Sequence, residues 1–205
     1  MQYKGVDSIV ADVKVCFDEI GLNDAEFLTG TDNAEMDTII TSKIGDALRF
    51  VGLHADVGYL EPTVIDESVT AENGVVDYEL PDDFLRLIYA RLSDWLFAVT
   101  EPIFYTEKEY ATLKNPITTG YPDNPKVAIT ADKHLELYTT KSSDVKLTFG
   151  YIGEAKPNDN NKWPIPDKLH RAIIYYIAGL TLLTYKDTHA DALLNMAITI
   201  MGAKQ

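Results

Sequence analysis

Acid–base and metal chemistry need His, Cys and carboxylate side chains gathered at one point, and this sequence scatters them. His54, His134, His170 and His189 fall in four different stretches, with no His-x-x-x-His step and no second cysteine beside Cys16. Zinc-type sites draw on clustered ligands of these kinds, so no metal site is expected. Residues 158–161 are rich in Asn and Asp but lack the alternating spacing and terminal Glu of a calcium loop, and they read as a solvated turn. Gly45, Gly52 and Gly58 match neither phosphate-cradling pattern, and no Gly-x-Ser-x-Gly elbow occurs, so no cofactor and no activated nucleophile are expected. The pairs Asp18-Glu19, Asp66-Glu67 and Asp82-Asp83 are adjacent in sequence, so their side chains point apart and suit caps and turns better than a general acid–base dyad. No catalytic residue is expected on these grounds.

The unusual feature is aromatic. Trp95, Phe97, Phe104, Tyr105, Tyr110 and Tyr121 crowd one stretch, and Trp163 stands in a polar loop. Tyr and Trp are favoured at protein interfaces, and they also cap sheet cores, so both readings stand open. These seven are the candidate subunit-interface residues.

The elements that must position them follow from hydrophobic period. Val6, Ile9, Val10, Val13, Phe17 and Ile20 recur at three- and four-residue steps, which predicts a helix over 7–20 with Asp7 as N-cap. Asp32 and Glu35 resemble a capping box, and Met36, Ile40, Ile44, Ala47, Leu48 and Val51 predict a second helix over 34–54. Residues 63–68 and 75–80 flank Asn73-Gly74, a strong hairpin signal. Residues 84–95 are ambiguous, with periodicity slightly favouring helix. A short helix is expected over 106–113, then a Pro- and Gly-rich loop. Alternation at 127–129, 135–137 and 145–151 predicts a three-stranded antiparallel meander whose wet face carries His134, Glu136 and Lys146, closed by a polar loop over 157–166. A helix over 169–185, apolar nearly all round, must be central or shared with another subunit, and a last amphipathic helix runs over 193–201. The fold class is α+β: a bundle of N- and C-terminal helices with a central antiparallel β module, divided as 1–60, 61–165 and 166–205.

Of the 205 residues 46% are apolar and 24% charged, with a net charge of −14. The general attraction to phosphate that drives nucleic-acid binding is therefore absent. The acid is concentrated in residues 1–120 (−15) against 121–205 (+1), which predicts a molecule of two electrical ends. Residues 172–185 form an uncharged apolar run too short to span a bilayer, and no secretory leader is visible, so no membrane partner is expected and a cytoplasmic origin fits.

The phrase Leu80-Pro81-Asp82-Asp83-Phe84-Leu85-Arg86-Leu87 resembles one that enters a strand in the head-to-tail connector (adaptor, or ring) proteins of tailed bacteriophages. The order of later features is similar too: Trp95, the apolar-aromatic stretch 103–110, a late meander ending at Tyr151, and Trp163-Pro164-Ile165-Pro166 leading into an apolar helix and a last helix. A crAss-like podovirus is among the sources that would fit. The resemblance implies that 84–92 is a strand, and that the chain is a structural virion protein, not an enzyme. It further implies a closed ring of its own copies, usually twelve, below the portal protein and beside other connector or tail proteins, passing the genome into the tail without specific DNA binding. Such a chain is assembled in the host cytoplasm. The reading that needs no resemblance is an intracellular small-molecule binding protein or enzyme with an unrecognised site between the sheet and the terminal helices.

Overall fold

The computed structural model describes residues 2–19, 33–113, 115, 121 and 123–202. They form an α+β fold divided into two compact units, Met1–Glu61 with Glu154–Gln205, and Pro62–Gly153. Residues 154–165 thus belong with the helices. The expected Asp32 cap, Gly21, and parts of the Pro/Gly loop lie outside the described residues.

In the helical unit, strand β1 (Gln2–Gly5) leads directly into α1 (Val6–Glu19), followed by α2 (Asn33–His54). Asp7 lies inside the first turn of α1, where its charge complements the helix dipole, not at the cap. After the β unit the chain returns through β9 (Lys162–Ile165) to α4 (His170–Thr184) and α5 (Ala190–Met201). The polar loop expected over 157–166 therefore contains a strand, whose partner is β1, antiparallel, with Gln2 opposite Ile165 and Gly5 opposite Lys162. Asn158 builds the turn before it, its Oδ1 accepting from the Asn160 and Lys162 amides.

Helix α4 is central. Nine of its residues, among them Ile173, Ile177, Ala178 and Leu182, are buried, and it packs on α1, α2 and α5. Most of its apolar surface is thus covered by this chain's own helices, which makes it central, while Tyr176 and Leu180 are only partly buried and Leu183 is exposed. Its buried Thr181 hydroxyl donates to the Ile177 carbonyl 2.9 Å away, so the polar atom is satisfied inside the helix. At Gly179 a Cβ would stand 2.7 Å from Leu194 Cγ and 3.2 Å from the Ala190 carbonyl oxygen. The missing side chain is what lets α4 and α5 approach. Cys16 is enclosed in the same core, and burial pushes its thiol up to about 11, so it behaves as a small hydrophobe.

The β unit contains β2 (Thr63–Thr70), β3 (Val75–Glu79), β4 (Phe84–Leu92), β5 (Ile103–Phe104), α3 (Lys108–Leu113), β6 (Lys126–Ile129), β7 (His134–Tyr138) and β8 (Asp144–Gly153). They form two sheets, ordered β2-β8-β4 and β3-β7-β6-β5, antiparallel except for β5 on β6. Between them lies a core of Val76, Leu87, Leu92, Trp95, Leu135, Leu137, Leu147 and Phe149, among others.

Two sequence expectations change here for one reason. The Asn73-Gly74 turn exists, with φ of 52° and 81° and backbone bonds exchanged between Glu72 and Val75, but the strands beside it do not pair with each other. β2 pairs with β8 and β3 with β7. Likewise β8 does not extend the β6-β7 hairpin into a meander; it crosses to the other sheet. Residues 63–79 and 134–151 run as one long antiparallel ribbon folded at a corner, where the Thr139 amide donates to the Gly74 carbonyl and the Ala71 amide to that of Ser143. Folding the ribbon buries one face of both halves against each other, which a flat meander cannot do.

The ambiguous segment is strand β4, with two irregularities that explain its helix-like pattern. Pairing with β8 skips from Phe84 to Arg86 and from Leu87 to Tyr89. Each extra residue resets the alternation, so the buried positions fall at Leu87, Ala90 and Leu92.

Candidate subunit interface

Every described histidine has a local tie. His54 packs beside Phe50, with centroids 4.4 Å apart; His134 Nδ1 lies 2.7 Å from Asp77 Oδ1; His189 Nδ1 lies 2.8 Å from Asp187 Oδ1. His170 Nε2 meets Lys4 Nζ at 2.8 Å and Asp12 Oδ2 at 3.0 Å, which fastens β1 to the helices. Among the described residues no three His, Cys, Asp or Glu side chains converge as a metal site would require. The paired carboxylates also diverge: Asp66 accepts from Lys146 (2.7 Å) and Thr148 (3.0 Å) across the strand, which holds its carboxyl below the usual range, while Glu67 turns toward Tyr78.

The outer face of the second sheet positions the aromatic stretch. Ile103, Leu113, Ala128 and Tyr138 form a small separate core under α3, with Val75 and Tyr110 packed on it. Asp77 stands directly opposite Glu136, a like-charge pair that would be unfavourable without donors. Glu136 Oε2 accepts from the Tyr138 hydroxyl at 2.6 Å and the Tyr110 hydroxyl at 3.1 Å. Burial, then the Glu136 carboxylate, raises both phenols, so they stay neutral donors. The Asp77 carboxylate in turn raises the His134 imidazole. This network fastens α3 to β7.

The seven candidate residues then separate. Trp95 is only 2% exposed and belongs to the inter-sheet core, so it has no surface to offer a neighbour; it is corrected from interface to core. Tyr110 is engaged with Glu136 as described. Trp163 lies in the helical unit, half-buried on β9 against its core, 3.5 Å from where a Gly45 Cβ would stand. The remaining four are exposed, and each lies on or within a segment closed by backbone hydrogen bonds. Ala90 and Val99 exchange backbone bonds at 2.8 Å, closing a loop that turns Trp95 inward and Phe97 (59% exposed) outward. Phe104 (46%) and Tyr105 (51%) sit on the edge strand beside buried Ile103, with the Tyr105 amide donating to the Ile129 carbonyl and the Glu107 amide to that of Phe104. Tyr121 (66%) exchanges backbone bonds with Asn124. Leu96, 63% exposed beside Phe97, completes the set; being aliphatic, it gives no aromatic signal in the sequence.

The expected electrical ends do not coincide with these bodies. The helical unit holds 17 acidic and 10 basic residues and the β unit 15 and 8, so each carries −7. The acidic first 120 residues are shared between both units.

Large apolar side chains thus stand exposed on hydrogen-bonded segments of the β unit, while the described histidines and Cys16 are engaged locally. A family model described as SU10 adaptor protein matches residues 11–202, from within α1 to the end of α5, and the chain belongs to that family. The family is one of phage structural adaptors, virion components that meet other connector or tail proteins. No curated protein matches the chain. Among the described residues no helix is long and apolar enough to cross a membrane.

Proposed function

We propose that the protein is a non-enzymatic ring component of the head-to-tail connector, lying below the portal protein and passing the genome to the tail. Each copy offers one surface to a different surface of the next, so that the rotation closes, with twelve copies as the working number. The observation that carries this reading is the exposure of Leu96-Phe97, Phe104-Tyr105 and Tyr121 on backbone fixed by hydrogen bonds. Large exposed apolar groups on rigid backbone lose little entropy on docking, the condition for an interface anchor. A charge of −7 on each unit supports passage without adsorption, because an acidic wall does not release counterions from DNA. Assembly in the host cytoplasm goes with this reading, and a crAss-like source rests on the sequence resemblance alone.

The test is Tyr105→Ala, with Tyr121→Ala in parallel. Both variants keep the wild-type circular dichroism and fail to enter particles, read by the composition of purified virions. Normal incorporation of both would remove the aromatic surface from the interface.

A further inference from the structure

The helical unit carries a cleft that fits what the β unit presents. Phe50 and Leu53 on α2 and Tyr176 and Leu180 on α4 line an opening of about 260 Å³, with the Phe50 and Tyr176 rings stacked at 4.3 Å and 15°. That volume lies below the ~300 Å³ at which small-molecule sites begin and is sufficient for an aromatic side chain. Lys43 and Arg49 stand on its rim, with Asp46 between them on the same helix. Lys43 has no ion pair among the described residues. Arg49 donates to Glu154 at 2.6 Å, an exposed pair of the kind that contributes little and leaves the guanidinium open to a second carboxylate.

The Phe104-Tyr105 ridge has the complementary charge. Glu101, Glu107 and Glu109 flank it, all exposed, with Lys108 as the single cation in that stretch. We infer that the occupant of the cleft is a second copy of this chain: Phe104 and Tyr105 of one copy dock over Phe50 and Tyr176 of the next, while Glu107 and Glu109 face Lys43 and Arg49. This rests on the ring reading and specifies which two surfaces meet. A cleft on one unit and a ridge on the other make the contact heterologous, as a closing ring requires. The apolar seat supplies an anchor, and the rim charges set its register.

Two single-substitution chains test it, Asp46→Cys and Thr106→Cys, since both positions are exposed, Thr106 adjoins the docking ridge without supplying its rings, and the native Cys16 is buried. They are mixed at equal concentration, their oligomeric state is measured by mass photometry, and they are then oxidised mildly. The expected product is the mixed disulfide, in about tenfold excess over either homodimer, because a heterologous contact brings unlike surfaces together. Oligomers that form without the mixed disulfide overturn this docking and leave the ring standing. Chains that stay monomeric, alone and with purified portal particles, overturn the ring reading and the docking with it. A charge swap adds an independent reading. Lys43→Glu with Arg49→Glu, or Glu107→Lys with Glu109→Lys, each weakens association about tenfold, and mixing the two double variants restores it. Failure of the mixture to recover would contradict the pairing.

Discussion

The central helix of the helical unit and the edge and loops of the β unit use their apolar residues in opposite ways. The helical unit turns a helix with almost no polar face into a core element by surrounding it: α4 meets α1, α2 and α5, and its nine buried residues leave Leu183 as its exposed large aliphatic. The loops and edge of the β unit instead leave Leu96, Phe97, Phe104, Tyr105 and Tyr121 in solvent, whereas the exposed apolar residues of the helical unit, such as Tyr3, Val15, Tyr59 and Met196, are spread over several elements. Total hydrophobicity is thus a poor guide to an interface. A helix apolar all round can be largely used by its own chain, whereas a sheet edge and two tight turns hold side chains outward by backbone geometry whatever their type.

The largest expected effect separates the two units. Trp95 and Trp163 are the only tryptophans and lie one in each unit. Trp95→Ala removes a fully enclosed side chain from the inter-sheet core and is expected to destabilise the β unit by about 3–5 kcal/mol. Urea unfolding followed by circular dichroism measures the loss, while the fluorescence of the remaining Trp163 follows the helical unit separately. A change below about 1 kcal/mol would mean that Trp95 is not the core residue described.

A smaller effect probes the close approach within the helical unit. Gly179→Ala gains helix propensity but drives a methyl into Leu194 and toward the Ala190 carbonyl, so a net loss of about 1–3 kcal/mol is expected. Thermal unfolding measures it, and a rise in stability would show that α5 can shift at no cost.

These two sites also mark what the sequence made legible. Helices α1, α2 and α5 were readable because one residue in three or four carries the whole signal, and their partners need not be known. Strand pairing was not. The register of β1 on β9 joins residues about 160 apart, and the folded ribbon looks locally like a hairpin and a meander because Asn73-Gly74 has the right turn chemistry whichever strand comes next. β4 misled the periodicity because two extra residues broke its alternation. The aromatic cluster was legible as composition, but Trp95 and Phe97 differ only in which side of one short loop they occupy, and the Ala90–Val99 closure that decides it has no sequence mark.

The smallest effect concerns the network under the aromatic ridge. The Asp77 contact raises the folded His134 imidazole above its ordinary 6.5. Its contribution is therefore complete below about pH 6.5 and is lost as pH climbs through the raised value. Asp77→Asn is expected to bring the His134 midpoint back down, read by its ring proton shifts in an NMR titration. An unchanged midpoint would mean the 2.7 Å contact does not form in solution.

The central claim, that the exposed aromatics of the β unit are contacts between subunits, is tested most directly by a cryo-EM map of the connector in the parent particle. Phe97, Phe104, Tyr105 and Tyr121 are expected to be buried against a neighbouring copy in a closed ring. A ring in which all four face solvent or the channel would contradict it.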